Sequence, residues 1–297
     1  MNPSVAHRSG YIAIAGRPNV GKSTLLNHLI GAKVSITSRK AQTTRHRILG
    51  VRSDAGAQFV FLDTPGFQTQ HRNALNRAMN KSVTDAMASA DVALLVIEAA
   101  GWRPEDATVC ALFPAALPVV LAINKIDALK QQDKLLTLID KVRKVHEFAA
   151  IVPVSARGGA GLDALLGELA RHLPVSAPMY EADMLTDRPE RFLAAEMIRE
   201  KVFRLSGEEI PYATDVTIEK FEEDGGLRRI QATILVDRPG HKVILLGAKG
   251  ERMKRIASEA RLDMEKLFGV KVFLEVWVKV KSGWADNATM LKSLGYR

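Results

Sequence analysis

Short runs that are apolar at every position alternate with amphipathic stretches through the first part of the chain, and the texture changes near Pro189. Tyr11–Ala15, Val92–Ile97 and Val119–Ile123 offer no polar face, which marks strands buried on both sides within a parallel sheet. Ile48–Asp54 and Gln58–Leu62 are β-rich runs joined by Ala55-Gly56-Ala57, the spacing of an antiparallel hairpin. Ile151–Val154 supplies one more strand, and helices are predicted after Ser23 and over about residues 73–88, 104–112, 132–146 and 161–172. This alternation predicts an α/β domain, a mainly parallel six-stranded sheet with helices on both faces. Val34–Thr37 and the polar, basic run Ser38–Arg47 have no hydrophobic period and are expected to form a mobile loop.

Pro174–Arg188 lacks a period and carries prolines, so residues 1–174 and 189–297 are read as two domains with a linker at 175–188. Beyond it, Ala194, Ile198, Val202 and Leu205 follow helical spacing. Val216 and Ile218 alternate in one strand and Ile230, Ala232, Ile234 and Val236 in the next, with Glu222–Gly226 as the turn. Val243–Leu246 leads through Gly247-Ala248-Lys249-Gly250 into a basic helical run stopped at Gly269. The last strand puts Val272, Leu274, Val276, Val278 and Val280 on one face and Phe273, Trp277, Lys279 and Lys281 on the other. The order is α-β-β-α-α-β, a smaller α+β domain.

Composition adds a partner class. With 297 residues, 47% of them hydrophobic, the chain can fill a core in each domain. The net charge is +9, and residues 1–50 hold eight Lys or Arg with no Asp or Glu. Residues 239–297 hold twelve Lys or Arg against six Asp or Glu. Such placement favours an anionic partner, nucleic acid or phosphate ahead of an acidic membrane surface. A single cysteine, Cys110, makes no internal disulfide and sits in apolar Val109–Leu112, which suits buried filler in a reducing cytosol. No run reaches the length of a membrane span and no leader-type segment precedes Tyr11, so the protein is expected to be soluble and unprocessed.

The chemistry is concentrated at strand ends. Gly16-Arg17-Pro18-Asn19-Val20-Gly21-Lys22-Ser23 lies between a strand and an amphipathic helix, the context of the phosphate-binding loop G-x-x-x-x-G-K-S. Loop N–H groups wrap phosphates, Gly16 and Gly21 keep the approach open, and the helix N-terminus adds a favourable dipole. Lys22 is expected on the β and γ phosphates and Ser23 on Mg²⁺. The strand from Gln58 ends in Asp63-Thr64-Pro65-Gly66, delivering an acid to the edge where open α/β sheets bind ligands. Asp63 is the candidate to hold Mg²⁺ through water, and the Gly66 N–H to sense the γ-phosphate; alone, the tetrapeptide would be an ordinary turn. The strand from Val119 ends in Asn124-Lys125-Ile126-Asp127. A carboxylate there accepts from guanine N1–H and the N2 amine, a pair that adenine does not offer. Ser155-Ala156-Arg157 counts by position alone, its backbone facing the guanine O6.

These four motifs, over about Gly10 to Leu173, resemble the TrmE–Era group of GTPases. The resemblance implies GTP and GDP as ligands with Mg²⁺. It extends the nucleotide contacts from Gly16 through Thr24, and to Asp63, Thr64, Pro65, Gly66, Phe67, Asn124, Lys125, Asp127, Ser155 and Ala156. It makes Thr44 the switch threonine that joins Ser23 and Asp63 around Mg²⁺, with Thr43 as the alternative. Catalysis would fall to Lys22, Asn19, Thr44 and Gly66. Phe67 stands where Ras-like proteins place the glutamine that orients the attacking water; a phenyl ring cannot do so, and slow or assisted hydrolysis is expected. Asn19 resembles the asparagine by which some relatives bind K⁺ beside the phosphates.

A G-x-x-G is more often a turn than a binding loop. Ahead of a basic helix and within this element order, it resembles a type II K homology (KH) domain. The resemblance implies RNA contacts from Gly247, Ala248, Lys249, Gly250, Arg252, Lys254, Arg255, Lys281 and Trp284. Trp277 and Trp284 are candidates for stacking on single-stranded bases, with core packing as the other reading. The GTPase half, this domain and the ending Val278–Asp286 together resemble the Era family over nearly the whole chain. That implies binding near the 3′ end of 16S ribosomal RNA, a role in 30S subunit assembly, and a cytoplasmic monomer with weak membrane-surface association. The rival reading, a signalling or membrane-surface switch with a protein-docking C-terminal domain, explains the charge but not the glycine loop. Asn124–Asp127 argues against an ATP-driven enzyme.

Overall fold

The computed structural model describes residues 6–67, 74–131, 133–207 and 209–296. The predicted helix starts at Asn73 and Gln132 lie outside them. The chain forms two compact units: residues 1–187 apart from 36–43 and 71–78, and those two segments together with 188–297.

The first unit runs β1 (Arg8–Ala15), α1 (Lys22–Ile30), β2 (Ile48–Ser53), β3 (Ala57–Asp63), α2 (Ala74–Ala88, in this unit from Met79), β4 (Val92–Glu98), α3 (Pro104–Cys110), β5 (Val119–Asn124), α4 (Asp133–Val142), β6 (Ala150–Pro153) and α5 (Leu162–His172). Six strands lie in the order β2-β3-β1-β4-β5-β6, and only β2 pairs antiparallel. The all-apolar runs are the central strands: β1 is buried from Ile12 to Ala15, β4 up to Ile97 and β5 throughout. Each Val, Leu or Ile so buried contributes roughly 1.5–3 kcal/mol. α4 ends four residues short of the predicted His146, because Lys144 and Val145 bond three residues back and tighten the last turn.

Residues 175–187, expected as a free linker, belong to this unit. The Gln58 side chain accepts from the Met179 and Tyr180 N–H groups at 2.7 and 2.9 Å and donates to the Tyr180 carbonyl. Val51 N–H donates to Leu185 O, and the Thr186 hydroxyl to Leu49 O. Their lack of period is that of an extended strap whose polar backbone is satisfied by the sheet edge.

The second unit runs α6 (Glu190–Leu205), β7 (Thr214–Asp224), β8 (Leu227–Val236), α7 (Pro239–Leu246), α8 (Glu251–Phe268), β9 (Lys271–Val280) and α9 (Ala288–Ser293). β8 lies between antiparallel β7 and parallel β9. Ala194 and Ile198 of α6, Ile230, Ala232 and Ile234 of β8, and Met253, Ile256, Ala260 and Met264 of α8 form one core. α8 owes its place to the helical spacing of those last four. Gly269, left-handed at φ 70°, ends it by donating to Glu265 O.

Two features were not legible beforehand. Segment 36–43 is a loop, as expected, but its backbone is held by α6: Glu200 accepts from Thr37 N–H at 2.8 Å and Arg199 donates to Thr43 O at 2.6 Å. α9 is capped by the Asn287 side chain, and beyond it the Tyr296 hydroxyl donates to buried Asp215.

Candidate nucleotide and nucleic-acid sites

In the first unit the candidate side chains meet at the C-terminal ends of β1, β3, β4 and β5. Gly21 at the head of α1 has φ 101°, and a Cβ there would lie 2.4 Å from the Asn124 side chain. No other residue type fits. The Asn124 amide donates to Val20 O at 2.8 Å, and its oxygen accepts from the N–H groups of Lys125 and Ala156 at 2.7 and 2.9 Å. One buried side chain thus joins the phosphate loop, the end of β5 and the loop after β6.

Lys22 is buried, and its ammonium donates to Gly16 O at 2.8 Å and Arg17 O at 3.0 Å. Burial pushes its pKa down to about 8 against the pull of Asp63. The Ser23 hydroxyl donates to Asp63 Oδ2 at 2.7 Å and lies 2.8 Å from the Thr44 hydroxyl. Ser35 also donates to Asp63 Oδ2, at 2.9 Å, a contact for which the sequence held no signal. Burial raises the Asp63 pKa, with Ser23, Lys22 and Ser35 opposing, and its Oδ1 is buried with no hydrogen-bond partner. Thr43 bonds elsewhere, to Ser38 and Lys40 O, so of the two adjacent threonines it is Thr44 that lies beside Ser23. The donors are all hard oxygens, two hydroxyls and a carboxylate with an unused lone pair, the chemistry that fits Mg²⁺.

Asp127 is exposed, and the Ser155 hydroxyl donates to its Oδ1 at 2.6 Å, leaving the second oxygen to accept. Ser155 in turn is fixed by Gly158 N–H at 3.0 Å. The Thr64 hydroxyl pins the Asp63–Gly66 turn to Ile14 O, and Gly66 comes close enough to Pro18 that a Cβ would sit 3.0 Å away. Phe67 packs against the core. Asn19 is exposed and left-handed at φ 66°.

The Arg17 side chain has a place for which the sequence held no signal. Its guanidinium does not face outward; it lies between Glu98 Oε2 at 2.7 Å and Asp106 Oδ1 at 3.2 Å, so only its backbone remains for a phosphate. Neither acid was singled out in the sequence, because their proximity comes from the ends of two elements far apart in the chain.

In the second unit, Gly247 (φ 72°), Lys249 (φ 49°) and Gly250 (φ 79°) make a tight left-handed link between α7 and α8. A Cβ on Gly247 would meet Arg252 Cβ at 2.9 Å. No side chain caps α8, and its first N–H, that of Glu251, donates back to Ala248 O within the loop. Val243 (69% exposed), Ile244 and Leu246 on α7 form an apolar exposed edge next to it. Lys249, Lys254 and Lys281 are exposed, whereas Arg252 bonds Ile244 O and Arg255 pairs with Glu259. Trp277 is half exposed. Trp284 corrects the expectation: it is fully buried, with its indole N–H donating to Ala213 O at 3.2 Å, and has no face on which a base could stack.

A family model described as 50S ribosome-binding GTPase matches residues 11–125, and a KH domain model matches residues 209–285. Proteins called GTPase Era from Chromobacterium violaceum and Nitrosomonas eutropha are 55% and 54% identical to the chain, over 96% and 98% of it and 97% and 98% of theirs. An Aquifex aeolicus Era variant bound to GDP·AlF4⁻ matches with a TM-score of 0.94 at 42% identity, over 97% of this chain and 99% of that one. Era in complex with MgGDPNP and nucleotides 1506–1542 of 16S ribosomal RNA also matches with a TM-score of 0.94 at 42% identity, over 98% and 99%.

Proposed function

Because the chain belongs to the Era family of GTPases, we propose that it is a GTP-driven RNA-binding switch in 30S subunit assembly and 16S ribosomal RNA maturation, holding the nucleotide on the first unit and the 3′ end of 16S ribosomal RNA on the second. The observation that carries this reading is the convergence of Lys22, Ser23, Thr44 and Asp63 at one end of the sheet, with Asp127 held by Ser155 so that one oxygen faces outward. Such a site takes a guanine nucleotide with its phosphates on the loop.

Hydrolysis is in-line attack of water on the γ-phosphate. The loop amides and Lys22 bind the phosphates and offset the charge that develops on them. Ser23 and Thr44 would hold Mg²⁺ directly and Asp63 through water; the ion, when bound, neutralises phosphate charge. Gly66 N–H senses the γ-phosphate, so that GTP fixes Thr44 and Gly66 and hydrolysis releases both. Phe67 donates no hydrogen bond to the attacking water, which leaves a role for Asn19 in holding K⁺ beside the phosphates. Equal turnover in K⁺ and Na⁺ buffers would remove that role.

On the second unit, the phosphates of a single strand lie against the Gly247–Gly250 loop and the uncapped start of α8, with Lys249, Lys254, Arg252, Arg255 and Lys281 supplying charge. Bases lie along Val243 and Ile244. We place the protein in the cytoplasm as a monomer with weak attachment to the membrane surface; no helix among the described residues is long and apolar enough to cross a membrane.

The test is binding to a single-stranded fragment from the 3′ end of 16S ribosomal RNA, with a GTP analogue and with GDP, across a salt series, beside Gly247→Asp/Gly250→Asp. Tighter binding with the GTP analogue, retained at higher salt and lost in the double variant, is expected. Weak binding that ignores nucleotide and variant alike would make the attraction generic and favour a protein-docking second unit.

A further inference from the structure

A chain of alternating charges runs behind the nucleotide site. Asp106, at the start of α3, meets Arg17 of the phosphate loop at 3.2 Å; Arg17 meets Glu98, the last residue of β4, at 2.7 Å; Glu98 meets the Lys125 ammonium with its other oxygen; and Lys125 donates to Asn19 O at 2.7 Å. The side chains of Arg17, Glu98 and Asp106 are 9%, 15% and 0% exposed, so the two Arg17 pairs are poorly screened, whereas the Lys125 side chain is 42% exposed. Burial alone would raise the Glu98 pKa, but the bonds from Lys125 and Arg17 hold it below the ordinary carboxylate value.

The two residues at the end of this chain share an unusual backbone. Asn19 (φ 66°) and Lys125 (φ 67°) are both left-handed without being glycine, a conformation that persists only where surroundings over-determine it. The bond from the Lys125 ammonium to Asn19 O ties one to the other, and Glu98 fixes that ammonium while its second oxygen fixes Arg17, two residues before Asn19. One carboxylate thus grips the phosphate loop from both sides and joins it to the segment that bears Asp127.

We propose that Glu98 is a positioning residue that locks the guanine-side segment to the phosphate loop and so sets how long a guanine nucleotide stays bound. The inference rests on the guanine-nucleotide reading of the site. Glu98 touches none of Lys22, Ser23, Thr44 or Asp63 and reaches Asn19 only at its backbone carbonyl, through Lys125, so its loss loosens the loop without removing a side chain that acts at the γ-phosphate.

The experiment measures dissociation of a fluorescent GDP from the full-length protein and from Glu98→Gln, Glu98→Asp and Asp106→Asn, together with KM and kcat for GTP. Glu98→Gln is expected to release GDP roughly tenfold faster, the size of one charge-assisted hydrogen bond, with KM raised in step and kcat unchanged. Asp, one methylene shorter, cannot span Arg17 and Lys125 and should behave like Gln. Asp106→Asn, which reaches the loop only through Arg17, should speed release in the same direction but by less than Glu98→Gln. An unchanged release rate in Glu98→Gln, rescue by Asp, or a fall in kcat at constant KM overturns the proposal. If Glu98→Gln does not fold, Asp106→Asn decides: faster release supports the chain of pairs and an unchanged rate ends it. Parental protein that binds ADP as well as GDP would instead sink the guanine reading itself.

Discussion

The two candidate sites are built in opposite ways. The nucleotide site in the first unit is a set of side chains each fixed by named partners, the buried Asn124 by three bonds and the buried Asp63 by Ser23 and Ser35, with the exposed Asp127 held by Ser155. The glycine loop of the second unit is exposed backbone, flanked by exposed lysines and by apolar side chains in water. A site that must tell guanine from adenine and stabilise a transition state needs charges that do not reorganise. A surface that takes a flexible strand can use uncapped amides and long-range charge, which tolerate misplacement but are weakened by salt.

The largest expected effect tests the first half of that contrast. Asp127→Asn replaces an acceptor of two charge-assisted hydrogen bonds, about 1.5–3 kcal/mol each, so GDP affinity by titration should fall by about 10²–10⁴-fold while xanthine nucleotide binding improves. Little loss would mean that Asp127 is not the base reader.

The tryptophans test the second half. Trp284→Ala should cost about 3–5 kcal/mol of stability in denaturant unfolding, since the ring is fully buried. Trp277→Ala, half exposed, should cost less and change RNA affinity only if a base stacks on it. A Trp284 variant of normal stability that lost RNA binding would mean that the ring leaves its buried place to meet RNA.

Thr44→Ala should lower kcat for GTP by about tenfold to a hundredfold, while Thr43→Ala stays near the parental rate, because only Thr44 faces Ser23. Equal effects would return the pair to ambiguity. The smallest effect is that of Lys254→Ala. As an exposed phosphate contact it should weaken RNA binding evenly across sequences and reduce the log–log salt slope by about 0.7. A sequence-dependent loss would show that the surface reads bases through this lysine.

Much of this was written in one dimension. The apolar runs became the buried strands, and Gly21 and Gly247 stand where a Cβ would collide. The motifs named Lys22, Ser23, Asp63, Asn124 and Asp127, because their chemistry demands fixed residue types at fixed spacing from a strand end. Period and spacing are local, and a sequence carries local information directly. What only the tertiary structure decided is which groups meet across the chain: Thr44 rather than Thr43 beside Ser23, Ser35 on Asp63, Arg17 turned from the phosphates to Glu98 and Asp106, Trp284 sealed against Ala213, and residues 175–187 strapped to the sheet edge. These depend on where strand ends and loops converge after packing, and on whether a side chain so placed keeps water or loses it. Neither is a property of any short stretch of sequence.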